Sequence, residues 1–170
     1  MMKTITMLAI LLLLVSCKFN YTTPMCSGDN LTDIPFLEGE YSKVENKLID
    51  SNSIHFIRDS LGVYLIQEAG HVTEQMSTCQ IKGEYYLEGN RDDLYHLLKV
   101  VAKKTKAKFN LMELLVDRLD ELNIPYSVHE PTSPLLDFTS VIADNNNISN
   151  QMFINALTPD KETVNMFRVK

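Results

Sequence analysis

From Ile34 to Asn90 the chain is a succession of short strand-like runs, and this cadence limits its fold more than any other feature. "EGEYSKVE", "SIHFIRDS", "GVYLIQEAG" and "STCQIKGEYYLEGN" are each rich in Val, Ile, Tyr and Phe. Each is closed by Gly, Asn, Asp or Ser, residues that favour tight turns over continued strands. In "SIHFIRDS" apolar Ile54 and Phe56 alternate with polar Ser53 and His55, as on a sheet with one wet face. Runs of this length joined by tight turns predict antiparallel neighbours.

The next stretch, "RDDLYHLLKVVAKKTKAKF", admits two readings. Leu94, Leu97, Leu98, Val101 and Ala102 fit one helical face. Tyr95, Val100, Val101 and Phe109 favour strands, with "KKTK" as a hairpin turn, and the hairpin is preferred. In "NLMELLVDRLDELNIP", Leu111, Leu114, Leu115, Leu119 and Leu122 recur at helical spacing. Asn110 stands at the start and Pro125 at the end, so an amphipathic helix is expected over Leu111 to Leu122. "PYSVHE", "LLDFTSVIAD", "QMFINALT" and "TVNMFRVK" read as further strands, with "NNNISN" as a loop. The fold class is α+β, mostly β: an antiparallel curved sheet or barrel-like meander with one amphipathic helix.

A chain of 170 residues with 45% hydrophobic residues suits one domain with a true core. The net charge of −6 argues against a nucleic-acid partner, since phosphates call for a basic surface, and against broad electrostatic adhesion to anionic lipid. No nucleophile elbow, phosphate-binding glycine loop or His-Glu-x-x-His zinc pattern is present. His55, His71, His96 and His129 are scattered. His71 and Glu74 would share a metal only on a helix, and their context is β. The acids of "DRLDE" at helical spacing make a water-facing surface, and "DNNN" lacks the spaced oxygens of a calcium loop. The expectation is no catalytic residue, no metal and no cofactor. Lys103, Lys104, Lys106 and Lys108 form the one basic cluster. It reads either as a contact for lipid phosphates or an acidic partner, or as a solvated turn that discourages edge pairing; the second is preferred. The seven tyrosines, in strands, are expected to be half-buried sheet residues.

The amino-terminal segment gives an address. After Lys3 comes "ITMLAILLLLV", the length of a signal-peptide apolar core and too short to span a bilayer, which takes ~20 residues. It ends in Leu14-Val15-Ser16-Cys17: an aliphatic residue, a tolerant position, a small residue and a cysteine. This resembles the lipobox of bacterial lipoproteins. The resemblance implies cleavage before Cys17, a diacylglyceryl thioether on its sulfur and acylation of the new amine. One acyl chain is marginal and two are firm, so a lipidated Cys17 would anchor the protein without a basic surface. Ordinary secretion is the competing reading, with "NYT", "NLT" and "NIS" at Asn20, Asn30 and Asn147 as glycosylation acceptors. Under the lipobox reading the chain divides into a signal peptide (1–16), a lipidated tether (17–33) and one β-rich domain (34–170). Lys18 after the cysteine favours the outer membrane, facing the periplasm. Lipidation of Cys17 leaves Cys26 and Cys79, which are either disulfide-bonded in an oxidising compartment or two free thiols. The expected function is a non-catalytic protein-binding module of assembly, inhibitor or immunity type, with an envelope protein as partner. The alternative is a lipocalin-like carrier of a small apolar ligand.

Overall fold

A computed structural model describes residues 19–45, 48, 53–129 and 140–169. Among these residues, eleven strands form one sheet. In chain order they are β1 (Phe19–Tyr21), β2 (Gly39–Ser42), β3 (Ile54–Ser60), β4 (Val63–Glu68), β5 (His71–Ile81), β6 (Glu84–Arg91), β7 (Leu94–Ala102), β8 (Lys106–Leu114), β9 (Tyr126–His129), β10 (Ser140–Ala143) and β11 (Leu157–Arg168). Strands β2 to β8 pair in sequence, β11 pairs with β8 and β2, and the ring closes as an eight-stranded antiparallel barrel. Closure leaves the ring strands with no free edge. Two-residue turns at Ala69-Gly70, Lys82-Gly83 and Asp92-Asp93, all at positive φ, join successive strands. That backbone matches the twist of antiparallel strands. The preferred hairpin reading of residues 94–109 is what the structure has.

Alternation along the strands separates two cores. Inside the barrel lie Ile54, Phe56, Tyr64, Ile66, Met76, Leu87, Leu98, Val100, Phe109, Leu111 and Met166. Phe56 stacks on Phe109 at 5.6 Å, and Tyr41 meets Phe56 edge-on at 5.7 Å. The loop before β2 closes one end with Ile34 and Leu37, both buried. There the Arg168 guanidinium donates to the Phe36 and Glu38 carbonyls (2.8 and 2.6 Å) and lies over the Tyr41 ring. Gly62 takes part in this closure. A Cβ on it would stand 2.7 Å from the Thr32 nitrogen and 2.9 Å from the Thr78 oxygen, so the backbones approach as only glycine allows.

The second core lies on the outer wall of β5–β8. Cys79, Ile81, Tyr86, Leu97, Met112 and Leu114 face outward and are covered by β1, β10 and the segment between β8 and β11. That segment contains α1 (Val116–Glu121) and α2 (Asn150–Phe153), the latter capped by Ser149, whose side chain accepts from the Met152 amide.

Four expectations need correction. In its described part, the stretch expected as a tether over 17–33 is built into the domain. Strand β1 pairs with β10 and β7, Tyr21, Met25 and Cys26 are buried, and Cys26 is joined to Cys79 in a disulfide. The helix expected from Leu111 is mostly strand β8, where Leu111 faces the barrel core and Met112 and Leu114 the outer core. Only Val116–Glu121 is helical, and Leu115 is exposed at its start. Asn110 lies within β8, where its amide donates to Thr163 Oγ1. Both faces of β8 are buried, so apolar residues occur at every spacing and imitate a helical stripe. "QMFINALT" is α2 and a 3-10 turn before β11 begins at Leu157. Cys17 and the cleavage site lie outside the described residues.

Candidate functional site

The barrel interior is apolar except near the end opposite the Ile34–Leu37 closure. There, neighbouring strands bring Glu68, Glu74, Gly89 and His96 together. The hairpin register places Gly89 of β6 directly opposite His96 of β7. Both lie on the same face as Leu87 and Leu98, so the imidazole points inward, over the glycine. A Cβ on Gly89 would stand 2.3 Å from His96 Nε2 and 2.8 Å from Glu74 Oε1. The missing side chain is thus the space the imidazole uses.

His96 is 2% exposed and, among the described residues, its Nε2 has no hydrogen-bond partner; Glu68 Oε1 is likewise buried without one. Burial, with the Arg91 charge adding to it, lowers the His96 pKa to about 4, so the ring is neutral at pH 7. Burial raises the pKa of Glu74; the Arg91 charge pulls it down and Glu68 pushes it up. Burial also raises that of Glu68. The arrangement offers acceptors on one side of a neutral imidazole. No group of three metal-ligating side chains occurs among the described residues.

A second buried carboxylate faces the outer core. Glu88 of β6, 4% exposed, accepts from Tyr21 Oη (2.6 Å) and the Met25 amide (2.7 Å) at Oε1, and from the Cys26 amide (3.0 Å) at Oε2. Burial raises its pKa and the three hydrogen bonds pull it back in part. This group fixes the amino-terminal segment to the barrel wall, beside the Cys26–Cys79 bond.

The other histidines stand apart. His55 pairs with Gln67 across β3 and β4, and exposed His71 opens β5. His129 Nε2 lies 3.0 Å from Ser127 Oγ on exposed β9, and among the described residues no carboxylate completes that pair. None of the seven tyrosines is exposed: Tyr21, Tyr41, Tyr64 and Tyr86 are buried and the others half-buried. No face of fully exposed tyrosines is therefore present. Lys103, Lys104, Lys106 and Lys108 are all exposed on the β7–β8 hairpin and its turn. The Gly89–His96 pair was missed in the sequence, although a glycine inside a strand signals close backbone approach. Placing the Asp92-Asp93 turn would have set the register that joins the two.

No family model, curated protein or solved structure matches the chain.

Proposed function

We propose that this is a lipid-anchored envelope protein whose barrel is a non-catalytic binding module. One observation carries the second half of that reading: the barrel is filled by its own side chains. Ile66 and Tyr41 are 0% exposed, and Leu87, Val100, Ile54 and Met166 1%. A barrel of eight strands is just wide enough either to pack solid or to hold one small ligand. Packing here supports contact at the surface and the polar end, and weighs against a lipocalin-like carrier of an apolar ligand. The Leu14–Cys17 motif supports the anchor, with the outer membrane and its periplasmic face as the favoured site.

Labelled palmitate fed to cells should appear on the wild type and not on Cys17→Ser, which should leave the membrane fraction. The purified lipoprotein should show no turnover of peptidoglycan, ester or peptide substrates. Activity lost on changing His96 or His129 would overturn the binding reading. Saturable uptake of an apolar fluorescent probe would favour the carrier instead.

A further inference from the structure

The four lysines and the start of β1 point to the same side of the barrel. Strand β1 runs antiparallel to β7, so its amino-terminal end is directed toward the β7–β8 turn. Only Lys18 separates Cys17 from Phe19. Two peptide units reach at most ~7 Å. If Cys17 carries the lipid, the wall around Phe19 is therefore held against the headgroups, without the slack of a flexible leash. This step rests on the lipid-anchor reading.

The hairpin toward which that end is directed is suited to such a surface. Lys103, Lys104, Lys106 and Lys108 are exposed, and none makes an ion pair with a described residue. By contrast, Lys99 on the same strand is paired with Glu84 at 3.2 Å. Val101, 43% exposed, lies opposite Lys108 on the outer face. An open cleft of about 530 Å³ lies beside the turn. Lys104, Lys106 and Arg168 line it with Glu45, Phe167 and Val169. The whole chain carries −6, so an anionic surface attracts this hairpin and repels the rest.

We propose that the β7–β8 hairpin, with its basic cleft, is the face that the protein lays on an anionic phospholipid bilayer. Each lysine close to such a surface changes partitioning about fivefold, within a Debye length. The geometry thus fixes the orientation of the barrel as well as its distance from the membrane.

The chain contains no tryptophan, so single reporters are clean. Thr105→Trp places one in the hairpin turn, and Val72→Trp places one on β5 near the opposite end. Full-length protein is combined with phosphatidylglycerol or phosphatidylcholine vesicles carrying brominated lipid. Quenching should be strong for Thr105→Trp on phosphatidylglycerol, weak for Val72→Trp, and several-fold lower when all four lysines become glutamate. Equal quenching at the two positions, or quenching indifferent to charge reversal, overturns the proposal. So does binding of inorganic phosphate with no preference between the vesicles. Flotation tests the anchor separately: protein that does not float with phosphatidylcholine vesicles lacks it. The hairpin is then judged on phosphatidylglycerol flotation alone, where a difference between wild type and the charge-reversed variant sustains it and no difference ends it.

Discussion

At the scale of single residues, the barrel is most sensitive where it is polar. Gly89→Ala would put a methyl 2.3 Å from His96 Nε2 and 2.4 Å from Cε1. Overpacking of this kind costs about 1–3 kcal/mol. Denaturant titration should show that loss, and the double variant with His96→Ala should recover much of it, because the clash needs both partners. His96 also gives stability a pH dependence of known sign. Its pKa is lowered from 6.5 to about 4 in the fold. The neutral ring therefore contributes stability present above pH 6.5 and lost as pH falls toward 4, approaching about 3 kcal/mol. Glu68 and Glu74, with raised values, act oppositely: their contribution is present below 4.5 and lost as pH rises through the raised values. Melting curves of wild type and His96→Leu across pH 4 to 7 should separate the two, the variant lacking the acid-side fall. At Glu88, Gln would present an amide donor or lose an acceptor where three donors converge. Glu88→Gln should cost about 1–3 kcal/mol in denaturant titration.

At the scale of elements, the strands between Ile34 and Asn90 were legible because their turns are written in glycine and aspartate and their apolar residues are few enough to show. The β7–β8 hairpin was legible from β-branched and aromatic residues. Strand β8 and α1 were not, because burial on both faces of β8 erases the alternation by which a strand is recognised. The error can be tested. Leu119 of α1 is 0% exposed and Leu115 is 41%. Leu119→Ala should cost about 2–5 kcal/mol, while Leu115→Ala should shift the melting temperature little. A long amphipathic helix would have penalised both. The segment "QMFINALT" misled for a related reason: Phe153, Ile154 and Ala156 are buried in succession, and a short helical turn can do this as a strand does.

At the scale of the whole molecule, the barrel type was foreseeable from the number and shortness of the strands, whereas its wrapping was not. Residues 19–33 look like a solvated tether because they are polar and aperiodic. They are ordered by partners far along the chain: Glu88, Cys79, and Asn145, whose side chain bonds Thr23. Such contacts leave no local pattern. The Cys26–Cys79 bond closes a separation of 53 residues. In the chain-entropy model its loss removes ~4 kcal/mol. Cys26→Ser with Cys79→Ser should lower the melting temperature, and non-reducing mass spectrometry should find both thiols absent from the wild type. The same bond also sets a load path. A pull on the amino-terminal end of β1 would peel that strand from β10 and β7, but extraction must stop at Cys26. There the force passes covalently into β5, a strand of the closed wall, whose neighbours on both sides resist it in shear.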